Sequence, residues 1–240
     1  MNTIIQSEFI KGREPRGLTK QMVITIDGPA GVGKSSSAKE LASRLDYAYL
    51  DTGALYRAVA WKVAVAQIDP SLVDRIETLL SSTTLEIKFY HRVLSVLVDS
   101  REVSSYIRDE AIGRLASLIA AIPAVRDWLL PIQRRFAKGR GVVAEGRDMG
   151  TRVFPDAEAK FFLQADLGIR TNRRHGDIKV HDHHTSWQEV RQDLAERDAR
   201  DCTRDVAPLR PAKDAYILDT SHLTVHQVVD RMLEVILARL

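Results

Sequence analysis

Residues 23–45 read VITIDGPAGVGKSSSAKELASRL, and this stretch decides the fold. The apolar run VITID at 23–27 has the length and branched side chains of a buried strand, whereas SSSAKELASRL at 35–45 has the pattern of an amphipathic helix. Between them, GPAGVGKS at 28–35 satisfies the pattern G-x-x-x-x-G-K-[ST]. A strand, a glycine-rich loop and a helix in this order predict a phosphate-binding loop, or P-loop.

The residue types in this loop suit the binding of ATP. Gly28, Gly31 and Gly33 let the backbone curl so that its N–H groups point at phosphate oxygens, and the following helix presents its positive end. Lys34 brings a cation to the transferring phosphoryl group, and Ser35 offers a hydroxyl to Mg²⁺. A glycine-rich turn without a ligand is disfavoured by the flanking strand and helix. The predicted ATP-binding loop comprises Gly28, Pro29, Ala30, Gly31, Val32, Gly33, Lys34, Ser35 and Ser36.

Beyond this stretch, short apolar runs alternate with longer amphipathic stretches, which is the pattern of βαβ units. Further buried strands are predicted at 48–50, 141–146, 160–165 and 215–219, and helices at 54–66, 123–137, 187–200 and 224–240. In the last helix, apolar residues recur at helical spacing and are interpreted as core packing, not as a site: Val225, Val228, Val229, Met232, Leu233 and Ile236. We therefore predict an α/β protein, a three-layer P-loop fold with a five-stranded parallel sheet.

Two segments interrupt this alternation. Residues 83–108 alternate in polarity at every second position, which predicts a small antiparallel β insert, placed with its flanks at about 67–122. The polar stretch at 175–186 is expected to belong to a mobile lid at about 170–190. Four histidines there could suggest a metal site, but the absence of cysteine disfavours it: His175, His181, His183 and His184.

The rest of the chain is interpreted as one domain. Residues 1–21 are expected to form a flexible tail, and residues 22–240 a single P-loop kinase domain.

The net charge of +3 arises from 35 basic and 32 acidic residues, and this balance is not typical of a dedicated nucleic-acid binder. The only cysteine, Cys202, excludes a disulfide framework and indicates a reducing compartment. We expect a cytoplasmic monomer without nucleic-acid or membrane partners.

The arginines indicate the class of acceptor. The sequence contains no N-K-x-D motif, which a guanine-specific GTPase would need, so a small-molecule kinase fits better. Arg57 and Arg147 each follow a predicted strand end, and further arginines cluster beyond them: Arg170, Arg173, Arg174, Arg197, Arg200 and Arg204. Several guanidinium groups suit a dianionic phosphate, whereas a hydroxyl acceptor would call for a general base. A nucleoside monophosphate is therefore the expected acceptor.

Five strings extend this interpretation to a family. IDGPAGVGKSS, LDTGALYRAVA, EGRDMGTRVFPDA, ERDARDCTRDVAPL and AYILDTS resemble the bacterial cytidylate kinases, and the resemblance covers nearly all of residues 22–238. It implies transfer of phosphate from ATP, with Mg²⁺, to CMP or dCMP, and it identifies the β insert as a monophosphate-binding subdomain. ATP and CMP or dCMP are therefore the expected partners.

The resemblance also implies roles for individual residues. Those expected to be catalytic are Lys34, Arg57, Arg147 and Arg204, of which the three arginines hold the acceptor phosphate. Those expected to bind the rest of CMP are Thr52, Ser117, Arg126 and Asp148, of which the last three read the cytosine edge, and, at the sugar, Arg197 and Asp201. Two arginines resemble residues that close on the ATP phosphates: Arg170 and Arg174. Glu145 stands where relatives often have aspartate.

Two alternatives remain open at this stage. Another acceptor, such as UMP, dTMP or shikimate, would keep the kinase interpretation but change the assignment of base-reading residues. A non-catalytic ATP-binding or RNA-associated module would explain the mild basic charge but not the acceptor-phosphate arginines. Asp148 and Asp201 each have a further structural interpretation, as partners that pair with a neighbouring arginine.

Overall fold

The computed structural model describes residues 21–90, 93–139, 141–179 and 185–239. Residues 1–20 of the predicted tail lie outside the described residues, and so do three histidines of the predicted lid: His181, His183 and His184.

The described residues contain eight strands: β1 Val23–Asp27, β2 Ala48–Asp51, β3 Leu85–Tyr90, β4 Val93–Val98, β5 Arg101–Glu102, β6 Val142–Glu145, β7 Ala159–Gln164 and β8 Tyr216–Asp219. They also contain eight α-helices: α1 Lys34–Leu45, α2 Thr52–Val65, α3 Val73–Ser81, α4 Glu110–Ile119, α5 Pro123–Phe136, α6 Leu167–Lys179, α7 Trp187–Thr203 and α8 Val225–Leu237. A 3₁₀ turn spans Tyr106–Arg108, and a π-helical turn spans Met149–Val153.

Five strands form the central parallel sheet in the order β2-β6-β1-β7-β8. β1 lies in the middle, pairing with β6 on one side and with β7 on the other. This order confirms the predicted five-stranded parallel sheet. The apolar sequences of its central strands allow them to be buried on both faces.

Helices cover both faces of the sheet and form two cores, which confirms the three-layer architecture. The period of two along each strand divides its side chains between the cores. One core joins the sheet to α1 and α8 and includes Ile24, Ile26, Leu41, Phe161 and Met232. The other joins it to α2, α5 and the insert and includes Leu50, Leu55, Val98, Leu129 and Ala144.

The insert contains more than the predicted meander. β3, β4 and β5 form a three-stranded antiparallel sheet, which confirms that prediction, and the chain then enters the 3₁₀ turn. Helices α3 and α4 flank this sheet at positions where no helix was predicted. α4 packs against α2, so its stability depends on tertiary contact and not on its sequence alone.

The polar stretch that was assigned to the predicted lid begins as a helix. Helix α6 continues to Lys179, so residues 175–179 are helical. A polar sequence can remain helical here because α6 packs against α7, with the Trp187 indole nitrogen donating to the Asn172 side chain at 2.7 Å. Ser186 and Glu189 then form a capping box that begins α7.

Among the described residues, no single helix is both long and apolar enough to cross a bilayer. Only α4 and α5 taken together, bent by 103° where they meet, satisfy the length and composition test.

Phe161 tests the central role of the sheet. Its side chain is 1% exposed, so replacing Phe161 with alanine should leave a cavity and destabilise the protein by about 3–5 kcal/mol. Urea unfolding would measure this loss. Leu118 is 46% exposed, and Leu118→Ala should cost less than about 1 kcal/mol. Equal losses in the two variants would contradict the described core.

Candidate active site

The P-loop backbone has conformations that require glycine. Gly28, at φ 144°, lies so close to β7 that an added Cβ would be 2.2 Å from the Leu163 carbonyl oxygen. Gly33, at φ 92°, precedes α1 in the left-handed region, where glycine carries no steric cost. Within the described residues no side chain caps α1, so the N–H groups of its first turn can bind an anion.

Lys34 begins α1 with its amine at the floor of the loop. The side chain is 5% exposed, and its Nζ donates to the Pro29 carbonyl oxygen at 2.5 Å. Burial, followed by the nearby Arg147, lowers the pKa of Lys34 to about 7. An anionic phosphate at the loop would restore the protonated form, because an opposite charge favours the ammonium.

Glu145 supplies a buried carboxylate at the end of β6. The Tyr49 hydroxyl donates to it at 2.5 Å, and the Ser35 side chain also hydrogen-bonds it. Burial, with Asp51 nearby, raises the pKa of Glu145. The backbone carbonyl of Glu145 accepts from the Thr52 hydroxyl at 2.7 Å, which ties α2 to β6.

The donor set beside the loop fits Mg²⁺. Among the described residues, no group of three histidine, cysteine, aspartate or glutamate side chains could hold a metal by itself. Mg²⁺ instead prefers one or two protein oxygens together with phosphate oxygens and water. The Ser35 hydroxyl, next to the Glu145 carboxylate, provides this kind of oxygen site.

Three predicted arginines, Arg57, Arg147 and Arg204, line a cleft beside the P-loop. Arg147 donates through Nε to Asp201 at 2.8 Å, and Arg204 Nη1 lies 3.4 Å from the other oxygen of the same carboxylate. Burial alone would raise the pKa of Asp201, but Arg147 and Arg204 outweigh it and lower that pKa. Arg57 lies 3.3 Å from Asp51. The carboxylates thus orient the guanidinium groups.

Several donors of these and neighbouring cleft residues remain without a partner among the described residues. These buried atoms are Arg57 Nε, Arg204 Nη2, Arg126 Nε and Ser117 Oγ. All four residues line the same cleft. Buried polar atoms normally have partners, so these donors suit a ligand that is rich in hydrogen-bond acceptors.

The predicted base-reading residues also lie together. Arg126 and Asp148 form a buried ion pair, and Arg126 donates to the Ala120 carbonyl at 2.9 Å. The guanidinium carbon of Arg126 lies 5.5 Å from the ring centroid of Tyr56, and Ser117 lines the same cleft. Asp148 and Asp201 therefore pair with arginines, as their structural interpretation expected, while both also face the cleft.

A cleft of about 580 Å³ joins the P-loop to this arginine cluster. The predicted site residues that line it are Ala30, Gly31, Val32, Gly33, Lys34, Ser35, Ser36, Thr52, Arg57, Ser117, Arg126, Arg147, Asp148, Arg174, Arg197, Asp201 and Arg204. Gly28 and Pro29 form the loop behind this lining. The residues predicted to bind ATP and those predicted to bind CMP thus line the same cleft.

Arg170 occupies a different position from Arg174. Its buried guanidinium donates to the Ala30 carbonyl at 3.1 Å and to Asp198 at 2.6 Å, so it braces the P-loop from outside the cleft. Arg174 faces the cleft and pairs with Glu110 of the insert. The assignment of both arginines to the ATP phosphates stays a prediction.

Some cleft residues received no individual role from the sequence. Arg173, one of the clustered arginines, lines the cleft from α6 and donates to the Thr220 carbonyl at 2.6 Å. Val225 is 36% exposed and lines the cleft beside Leu223, so its assignment to the core is wrong. Helical spacing placed Val225 on the apolar face, but it begins α8, where the helix end projects past the core. Only tertiary structure distinguishes these positions.

Comparison with known proteins points to one family. The family model described as cytidylate kinase matches residues 24–238. A cytidylate kinase from Thermodesulfovibrio yellowstonii is 44% identical over 215 residues, covering 88% of this chain and 96% of the relative. A cytidylate kinase from Geobacillus kaustophilus is 40% identical over 223 residues, covering 93% of this chain and 100% of the relative.

Among solved structures, shikimate kinase from Acinetobacter baumannii gives a TM-score of 0.46 at 13% identity, covering 91% of this chain and 94% of that one. This likeness is too distant to bear on the acceptor.

The buried Arg126–Asp148 pair makes a stability prediction. Replacing Asp148 with asparagine leaves the Arg126 charge buried without its counter-ion, which should cost about 3–5 kcal/mol in urea unfolding at pH 7. The double variant Arg126→Met with Asp148→Leu removes both charges and should recover much of that loss. A single variant as stable as the parent chain would contradict the described burial.

Proposed function

The chain belongs to the cytidylate kinase family, and from this membership together with the geometry of the cleft we propose that it transfers the γ-phosphoryl group of ATP to CMP or dCMP. The products are ADP and CDP or dCDP. The observation that carries the proposal is the continuous cleft between the P-loop and an arginine cluster with unpaired buried donors. Such a cleft accommodates two phosphate-bearing substrates end to end.

The acceptor phosphate supplies its own nucleophile. Its second pKa is near 6, so at neutral pH it is mostly dianionic and needs little proton removal. An acceptor oxygen attacks the γ-phosphorus, the bond from that phosphorus to the bridging oxygen breaks, and ADP leaves. Arg57, Arg147 and Arg204 hold the acceptor phosphate in line with ATP, which replaces a bimolecular encounter by a positioned one.

Lys34 and the P-loop backbone neutralise charge on the transferring group. Lys34 contacts the loop at the helix N-terminus, where backbone N–H groups and the ammonium can surround the phosphates. Ser35, with Glu145 behind it, would hold Mg²⁺, which would supply positive charge to offset the charge of the ATP phosphates.

Base selection rests on opposite hydrogen-bonding groups. Cytosine presents an amino donor beside two acceptors, whereas uracil presents a carbonyl and an N–H at the corresponding positions. Asp148 accepts and Arg126 donates, so the pair complements cytosine, and the Ser117 hydroxyl, which has no partner among the described residues, can join it. A uracil in this position would leave buried groups unpaired, which strongly reduces transfer. Arg197 and Asp201 are assigned to the sugar.

We further propose one catalytic domain over residues 22–240, with the monophosphate-binding insert at about 67–122 and a lid at about 170–190. Arg174 on α6 already contacts the insert through Glu110, so these two parts can close over the substrates from opposite sides. Arg170 and Arg174 are assigned to the ATP phosphates. The proposed setting is cytoplasmic, and the proposed active form is a monomer.

An acceptor panel tests the proposed reaction. ADP release would be followed with ATP and Mg²⁺ against CMP, dCMP, UMP, AMP, GMP, dTMP and shikimate, each beside a reaction without acceptor. Turnover should be confined largely to CMP and dCMP, and Lys34→Ala should abolish it without loss of the fold. Turnover on another acceptor would remove the base assignment, and none at all would favour a non-catalytic ATP-binding module.

Two arginines on α7 provide a matched comparison. Arg197 lines the cleft, whereas the Arg200 Nε donates to the Glu196 backbone within the helix. Arg197→Met should raise the KM for CMP about tenfold to a hundredfold, the effect of losing a charged hydrogen bond, and leave the KM for ATP unchanged. Arg200→Met removes the same charge and should change neither constant. Equal effects in both variants would show that only general charge matters.

A further inference from the structure

Asp27 joins the two loops that form the active site. It ends β1 between β6 and β7, and the next residue, Gly28, begins the P-loop. Just after the neighbouring strand β6, the Gly146 N–H still donates to the Ile26 carbonyl at 3.1 Å. Beyond this hydrogen bond the segments that follow β1 and β6 separate. The Asp27 side chain, 3% exposed, fills the gap between them.

Both carboxylate oxygens of Asp27 accept a hydrogen bond across this gap. Oδ1 accepts from the Met149 N–H at 2.9 Å and Oδ2 from the Gly150 N–H at 2.8 Å. These N–H groups begin the π-helical turn, where backbone donors have no acceptor within the turn. Asp27 therefore supplies the acceptors that determine where this turn begins.

The anchored turn directly follows two residues of the acceptor site, Arg147 and Asp148. It is also pressed against β1, because a Cβ added at Gly150 would lie 3.0 Å from the Thr25 hydroxyl oxygen. A shift of the turn would consequently move the guanidinium that holds the acceptor phosphate. Misplacement by about 1 Å can cost about a hundredfold in rate.

We propose that Asp27 is a positioning residue for phosphoryl transfer, which connects the P-loop to the loop carrying Arg147 and Asp148 and so maintains the distance between donor and acceptor. This inference rests on the proposed function. It assigns a role to a side chain outside the cleft lining, which acts through the backbone of the acceptor loop.

The surroundings of Asp27 disfavour its negative charge, and two backbone hydrogen bonds partly offset this effect. Burial raises its pKa from 3.8 to about 6, the two backbone N–H groups counteract the shift, and the charged groups that face it are Asp148 and Lys34. Because the folded pKa exceeds the unfolded one, its contribution to stability is fully present below pH 4 and is lost as the pH rises through 6. Ionised Asp27 thus lowers stability at neutral pH.

The test is the variant Asp27→Asn, which resembles the protonated side chain and cannot accept from both N–H groups. At pH 7.5 its kcat/KM for CMP should fall at least tenfold, while its melting temperature should not fall and its Kd for ATP should stay within twofold. At pH 5 the parent Asp27 is mostly protonated, so the ratio of parent to variant activity should approach one. Both proteins are assayed with the same acceptor, so titration of the acceptor phosphate does not change this ratio.

Asp99→Asn is the matched control. The Asp99 carboxylate also accepts a backbone N–H, from Thr84 at 2.8 Å, but lies in the insert away from the cleft. Its kcat/KM should match that of the parent at both pH values. Gly150→Ala provides a second variant that keeps the Asp27 carboxyl group but displaces the turn, and it should reduce transfer at pH 7.5.

Full activity of Asp27→Asn at pH 7.5 would overturn the proposal, as would a loss of activity that is independent of pH and accompanied by a lower melting temperature. If the parent chain does not use CMP, the proposed function fails separately. Amide hydrogen exchange then tests whether Asp27 anchors the turn. The Met149 and Gly150 amides should exchange at least tenfold faster in Asp27→Asn than in the parent. Unchanged exchange would overturn the proposal.

Discussion

The contact between Gly28 and β7 is the constraint on which the rest of the site depends. β1 is hydrogen-bonded on both sides, so its end has no freedom to move sideways, and the chain must turn where a side chain would strike the Leu163 carbonyl. Only glycine permits this turn. Once the chain has turned, α1 must begin next to the ends of β1 and β6, and its N-terminal N–H groups face the same space as Arg147.

The strand ends were predictable from sequence because their signals are local. The apolar run at 23–27 and the glycine spacing after it require only neighbouring residues, and the arginines after β2 and β6 follow from where the strands stop. Helices α3 and α4 are different, since α3 packs against α5 and α4 packs against α2. Their existence depends on packing partners that lie elsewhere in the chain.

The supporting contacts of the site could not be predicted for the same reason. The bond from Tyr49 to Glu145 spans 96 residues and that from Asp27 to Met149 spans 122, so no local pattern marks them. Arg170 shows the same limit. The resemblance implies a phosphate contact, which stays a prediction, and no local pattern indicates that its guanidinium also donates to the Ala30 carbonyl and to Asp198.

The directions of the pKa shifts separate five cations of the cleft into two groups. Burial lowers the pKa of each, but Tyr56 and Asp148 outweigh burial at Arg126, and Asp201 outweighs it at Arg147, so that these two pKa values are raised. For Lys34, Arg197 and Arg204 burial and neighbouring cations prevail, and their pKa values are lowered. The first group is electrostatically satisfied within the protein and can hold the site in shape. The second lacks sufficient negative charge, which two phosphate-bearing substrates would supply, so binding of either nucleotide relieves repulsion that also opposes the folded state.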